Sequence, residues 1–183
     1  MRFHEIPLQG AYVIELEPHL DERGFFARTF CKNEFREIHH QQEFVQFNHS
    51  HTVKKGTLRG LHYQVPPMSE IKLIRCIRGK VFDVIVDMRE GSFTFLQYLG
   101  VELSAGNMHM IYVPEGFAHG FQTLEEDSEM LYHHTNFYSP NHERGIRYDD
   151  PLLNISWPLA PSEISEKDTN HPLLTKDFKG ITI

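Results

Sequence analysis

Two short stretches carry the residues most suited to chemistry, Gly56-Thr-Leu-Arg-Gly-Leu-His62-Tyr-Gln64 and Pro114-Glu-Gly-Phe-Ala-His119-Gly-Phe121. Each sets one histidine in a run of strand-forming residues punctuated by glycine, the pattern by which a small β-barrel points imidazoles into its mouth. An imidazole changes its charge near neutral pH, so it suits proton transfer or metal ligation. A third residue stands out by its neighbours. In Ile71-Lys-Leu-Ile-Arg-Cys-Ile77, alternation groups Lys72 with Ile74 and Cys76. A lysine on the apolar face of a strand is costly unless something negative meets it or its ammonium snorkels to a barrel rim.

These residues need a sheet to hold them, and residues 45 to 138 read as a succession of strands with period-2 apolar patterns separated by Gly, Pro and Asn. In Val81-Phe-Asp-Val-Ile-Val-Asp-Met88, the residues Phe82, Val84, Val86 and Met88 share one face and Asp83 and Asp87 the other, which predicts a half-buried strand. Lys72 to Ile77 precedes it across Arg78-Gly79, which reads as a hairpin turn. Phe93, Phe95, Leu99, Val101 and Leu103 continue the alternation after Gly91-Ser92, and Asn107 to Val113, Phe117 to Thr123 and Glu129 to Asn136 supply further strands. Asn33 to His39 reads as a short helix capped by Asn33, and residues 151 to 183 as loop broken by four prolines. The expected fold class is therefore all-β, a double-sheet jelly roll or small barrel with short peripheral helices.

At 183 residues, 40% hydrophobic and 23% charged, the chain is long enough for one sizeable core and short for two, so residues 1 to 183 are expected to form a single domain. A formal net charge of −7 disfavours nucleic acid or an anionic membrane as the main partner, since both require a basic face. An anionic small molecule remains compatible if Arg23, Arg28, Arg59, Lys72 and Arg75 converge. The N-terminus lacks the apolar core of a signal peptide, and a cytoplasmic location is expected. Cys31 and Cys76 have no metal-type spacing and are expected to be free thiols.

The spacing from Gly106 through Pro114-Glu-Gly116 to His119 approximates the second motif of cupins, with His62 where the first would lie. Metal-binding cupins carry a His-x-His pair and an acidic ligand there. Here Tyr63 and Gln64 follow His62, so the barrel is expected without its metal and without any other cofactor. A closer resemblance follows from Asp21-Glu-Arg-Gly-Phe-Phe26, Gln46-Phe-Asn48-His-Ser50, Leu58-Arg-Gly-Leu-His62-Tyr-Gln64, Lys72, Phe82-Asp-Val, Val86-Asp-Met-Arg89, Pro114-Glu-Gly-Phe-Ala-His119-Gly-Phe121, Tyr132, Tyr138, Asp150-Pro, Trp157-Pro and Ser165-Glu-Lys-Asp168. In these motifs, spread over nearly the whole chain, the sequence resembles the dTDP-4-dehydrorhamnose 3,5-epimerase family.

The resemblance implies a metal-free reaction on a nucleotide-linked 4-keto-6-deoxyhexose, in which the C4 ketone acidifies the hydrogens at C3 and C5. Removing one leaves an enolate, and returning a proton from the other face inverts the centre. By similarity His62 is the base, Asp168 orients it, Lys72 meets the C4 oxyanion and Tyr132 is the acid, with Tyr138 helping to shape the sugar pocket. Each has a plainer reading: an ordinary strand histidine, a capping box at Ser165-Glu-Lys-Asp168, a rim lysine, and packing tyrosines. Arg23, Gln46, Asn48, Arg59, His119, Glu143 and Lys167 match family positions that grip the nucleotide, its phosphates or the sugar. Strict alternation puts Arg59 and His62 on opposite faces, and Gly60 between them is the place for a bulge that would reconcile them.

The chain departs from the family at Arg28, where dTDP-specific members usually carry a glutamate reaching the neighbouring subunit's nucleotide, and at Lys167, where arginine is commoner. A donor-only guanidinium in place of an acceptor-only carboxylate raises a CDP-linked substrate as an alternative to dTDP. The resemblance also implies a homodimer that exchanges N-terminal strands, so that Arg23 and Arg28 complete the neighbour's pocket, and a place in deoxysugar synthesis for a surface polysaccharide such as O-antigen. A ketoisomerase of the same barrel type and a non-catalytic sugar-binding cupin stand as alternatives, with a metal-dependent dioxygenase more remote.

Overall fold

The computed structural model describes residues 1–183. Two facing sheets form the jelly roll expected from the strand pattern. The first runs, in spatial order, through β1 (Arg2–Glu5), β2 (Tyr12–Glu15), β10 (Met110–Val113), β7 (Lys72–Arg78), β12 (Ser128–His134) and β5 (Gln46–Thr52). The second runs through β13 (Glu143–Gly145), β6 (Thr57–Gln64), β11 (Phe117–Thr123), β8 (Lys80–Asp87) and β9 (Tyr98–Ser104), with β14 (Glu163–Ile164) pairing in parallel with β6. A separate hairpin of β3 (His19–Asp21) and β4 (Gly24–Phe26) stands off the barrel and exposes Leu20, Phe25 and Phe26.

Between the sheets, Ile74, Cys76, Val81, Ile85, Ile111, Phe117, Phe121 and Met130 form the central cluster. Burying each Ile, Val, Phe or Met side chain of this kind contributes about 1.5–3 kcal/mol. The polar members of the same alternation, Asp83 on β8, Lys72 on β7 and Tyr132 on β12, therefore point into the barrel as well. The strand holding Asp83 is not half-buried. Val84, Val86 and Met88 on its other face are covered by Ile146, Leu153 and Ile181 of the C-terminal segment, so β8 is enclosed on both sides. This tail, read as loop from its prolines, is fixed by Asp150, whose buried carboxylate accepts from the Leu152 and Leu174 amides at 2.8 and 2.6 Å.

Three local expectations change. Arg78-Gly79 is no hairpin, because β7 and β8 lie in different sheets and Gly79, at φ +70°, turns the chain from one to the other. Phe93 and Phe95 precede β9 rather than belonging to it, and Phe93 is exposed. The short helix at Glu34–Ile38 is a 3-10 turn held by burial of Phe35 and Ile38; Asn33 makes no capping bond because its backbone is already helical at φ −71° and ψ −40°. No helix is long and apolar enough to cross a membrane. Both cysteines are free.

Candidate active site

A cavity of about 760 Å³ opens between the sheets. Its floor and walls come from alternate residues of five strands, Asn48 and Ser50 of β5, Arg59 and His62 of β6, Lys72 of β7, His119 of β11, and Tyr132 and His134 of β12. Tyr138, Glu143, Lys167 and Asp168 line its rim.

Arg59 and His62 share this cavity because β6 is bulged. His62 pairs with His119, but Arg59 pairs with Phe121, so three steps along β6 match two along β11. The irregularity sits at Gly60, with φ +104°. A Cβ there would lie 2.6 Å from the His119 carbonyl oxygen and 2.7 Å from the Gly120 Cα. Only glycine lets the backbones approach so closely.

His62 Nε2 lies 2.6 Å from Asp168 Oδ1, while Asp168 Oδ2 accepts from the Gly60 amide at 3.2 Å. Asp168 belongs to α1 (Glu166–Thr169), and Ser165 caps that turn by accepting from the Asp168 amide at 3.1 Å. The capping reading and the orienting reading of this segment thus both hold, one through the backbone of Asp168 and the other through its carboxylate. Burial alone would raise the Asp168 carboxyl, but the hydrogen bond and charge of His62, helped by the Gly60 amide, hold it below the ordinary aspartate range. With Nε2 engaged by the carboxylate, the His62 Nδ1 is the nitrogen left to accept a proton, and the side chain is 32% exposed.

On the facing sheet, Tyr132 Oη hydrogen-bonds Ser50 Oγ at 3.1 Å. Burial raises the phenol above its ordinary value despite that bond, so it stays protonated as a donor must. Lys72 Nζ donates to the His62 carbonyl at 3.2 Å and lies 3.5 Å from Glu70 Oε1. The negative partner demanded by its position is thus a protein carboxylate in the resting site. Glu70 Oε2 also holds His134 Nδ1 at 2.9 Å, and His134 Nε2 faces Asn48 Nδ2 at 3.3 Å. Burial by itself would raise the Glu70 carboxyl; the bond to His134 and the charge of Lys72 bring it below the ordinary value.

His119 Nε2 is bound to the buried Asp83 Oδ2 at 2.9 Å. At the rim, Glu143 accepts from Tyr138 Oη at 2.9 Å and from Lys167 Nζ at 2.7 Å. Gln46 lies just outside the lining, holding the Tyr138 amide at 3.0 Å. Arg23 and Arg28 are not in this chain's cavity: Arg23 pairs with Asp21 on the exposed hairpin and Arg28 with Glu34 at 2.6 Å. Glu70, His134, Ser50 and Asp83 received no site role in the sequence reading. A signal existed for one of them, since His134 stands two residues from Tyr132 on β12 and so shares its face.

The family described as dTDP-4-dehydrorhamnose 3,5-epimerase matches residues 5–176. This chain belongs to that family. The enzyme of that name from Salmonella typhimurium is 49% identical over 166 residues, covering 88% of this chain and 90% of the relative. The one from Shigella flexneri is 48% identical over 161 residues, covering 86% and 88%. Among solved structures, the dTDP-6-deoxy-D-glucose-3,5-epimerase of Legionella pneumophila, in complex with dTDP-4-keto-L-rhamnose, superimposes with a TM-score of 0.90 at 40% identity, covering 94% of this chain and 92% of that one. The chain is accordingly an isomerase, an epimerase of nucleotide-linked keto-deoxysugars, built on the cupin jelly roll.

Proposed function

We propose that this epimerase inverts C3 and C5 of a dTDP-linked 4-keto-6-deoxyhexose. The observation that carries the reading is the oriented imidazole of His62 on one sheet facing Tyr132 and Lys72 on the other. His62 Nδ1 takes the hydrogen beside the ketone, breaking the C–H bond and sending its electron pair to the C4 oxygen. Asp168 stabilises the imidazolium without taking its proton. Lys72 meets the C4 oxyanion, a contribution of about 3–4 kcal/mol for one such donor. Tyr132 then delivers its phenolic proton to the opposite face, and solvent restores His62 and Tyr132, so no electron leaves the substrate.

The dTDP-4-keto-L-rhamnose bound by the Legionella pneumophila relative supports thymidine, and the ion pair of Arg28 with Glu34 supports Arg28 acting outside base recognition. Arg59 and His119, with Asn48, are assigned to the diphosphate and sugar, and Tyr138, Glu143 and Lys167 to the rim that covers them. The active form is read as a homodimer. In support, the β3–β4 hairpin exposes Leu20 at 78% and Phe26 at 72%, beside Arg23, and β5 exposes Phe47 at 66%.

The test is turnover of dTDP-4-keto-6-deoxyglucose in D2O with NMR of the product. Label and inverted configuration at both C3 and C5 are expected. A carbonyl moved to C3 would establish a ketoisomerase instead, and faster turnover of the CDP-linked sugar would restore the cytidine reading.

A further inference from the structure

His171 takes no part in the steps above, yet it lies against their central pair. Its Nε2 is buried with no hydrogen-bond partner, 3.7 Å from Asp168 Oδ1. Its ring meets that of His62 edge-on, with centroids 5.6 Å apart. The ring lies on the bare Cα of Gly145, where a Cβ would come within 2.1 Å of Nε2. Buried polar atoms without partners are rare in folded proteins and call for a specific explanation.

One ligand atom from each of His62, Asp168 and His171 lies within 4.8 Å of the others. Two imidazoles and a carboxylate are the donors that Zn²⁺ takes in open sites, where water fills the fourth position, while Mg²⁺ and Ca²⁺ prefer oxygen alone. Bonds of about 2.0–2.2 Å set tetrahedral donors roughly 3.3 Å apart. The 2.6 Å contact between His62 and Asp168 would open slightly and the 3.7 Å gap to His171 would close. This is not the His-x-His arrangement of metal-binding cupins, because two of its three ligands, Asp168 and His171, come from the C-terminal tail.

We propose that His62, Asp168 and His171 form an inhibitory site for a transition-metal dication such as Zn²⁺. The binding half needs only these donors; the inhibitory half rests on His62 being the base. In the resting site His62 Nε2 carries the proton shared with Asp168, leaving the Nδ1 lone pair for substrate. An ion on Nε2 displaces that proton and leaves the ring protonated on Nδ1, with no lone pair facing the cavity. The groups that grip the substrate are untouched, so kcat falls while KM holds.

The experiment is calorimetric titration of chelator-treated, dialysed enzyme with ZnCl₂, paired with Co²⁺ absorption and with kinetics in the presence and absence of added Zn²⁺. One His171-dependent ion per chain is expected, with inhibition reversed by EDTA. His171→Ala and the bulkier His171→Gln, checked for folding by thermal melting, should bind Zn²⁺ more than roughly tenfold more weakly, the upper range for loss of even an outer-shell partner being greater still. Both should keep the metal-free rate and resist inhibition. Equal Zn²⁺ affinity in parent and both variants, or no binding by the parent, overturns the site and points to surface pairs such as His49 with Glu129. His171-dependent binding without loss of turnover keeps the site and overturns inhibition together with the assignment of His62 as base.

Discussion

His62 and His119 stand directly opposite each other on β6 and β11, yet each is bound to a different carboxylate, Asp168 at 2.6 Å and Asp83 at 2.9 Å. Their surroundings divide the labour. The side chain of His62 is 32% exposed toward the cavity and that of His119 only 7%. The more open imidazole suits proton exchange, and the enclosed one suits a fixed contact. Replacing His119 with Asn is expected to raise KM by roughly tenfold or more, the loss of one hydrogen bond to a charged group at about 1.5–3 kcal/mol, while kcat stays close to the parent value. Steady-state kinetics checks the split, and a fall in kcat alone would assign His119 to the chemistry.

Tyr132 faces His62 from the other sheet, and its hydroxyl is held by Ser50. Tyr132→Phe keeps the ring and removes the proton. Inversion is expected to fall about 10²- to 10⁴-fold, while washing of solvent deuterium into the unreacted sugar on the His62 side continues. NMR of recovered substrate and product separates the two, and equal loss of both would mean that Tyr132 does more than return the proton.

Glu70 gives a pH signature. Its carboxyl is held below the ordinary value of 4.5, so as pH falls the unfolded chain takes up the proton first. The stability Glu70 contributes is therefore complete above about 4.5 and is lost as pH drops through the lower folded value. Glu70→Gln leaves Lys72 buried without its counter-charge and should cost about 3 kcal/mol at pH 7. Urea midpoints measured from pH 7 to pH 3 should show the gap between parent and variant narrowing on the acid side. A constant gap would remove the ion pair from the explanation.

Gly60→Ala places a methyl group against the His119 carbonyl and forces alanine to φ +104°. The strained backbone alone costs about 1–3 kcal/mol. A lower Tm is expected, with loss of turnover in whatever remains folded, because the bulge sets both Arg59 and His62. A variant with parental Tm and kcat would show that the bulge is not required.

What was legible in the sequence was whatever alternation and glycine encode. The strands from Phe117 to Thr123 and around Tyr132 emerged as strands, the one around Lys72 emerged with its inward face as well, and Gly60 marked the bulge that brings Arg59 beside His62. The corner at Gly79 was misread because a glycine of positive φ serves a hairpin and a change of sheet equally well. Burial of both faces of β8 was hidden because the segment covering it, from Ile146 to Ile181, lies far along the chain and carries no periodicity of its own. The Glu70–Lys72 pair was missed for a related reason: the demand for a negative charge was visible, but a carboxylate in the loop before the strand satisfied it before any substrate did.

The central claim is that an imidazole at position 62, oriented by Asp168, removes hydrogen from the keto-sugar. The direct measurement is the rate of deuterium incorporation from D2O into the bound dTDP-4-keto-6-deoxyhexose by the parent and by His62→Asn, with substrate affinity measured separately by calorimetry. A fall of about 10²- to 10⁴-fold in incorporation with affinity retained is predicted. Parental incorporation by a folded, substrate-binding His62→Asn protein would contradict the account.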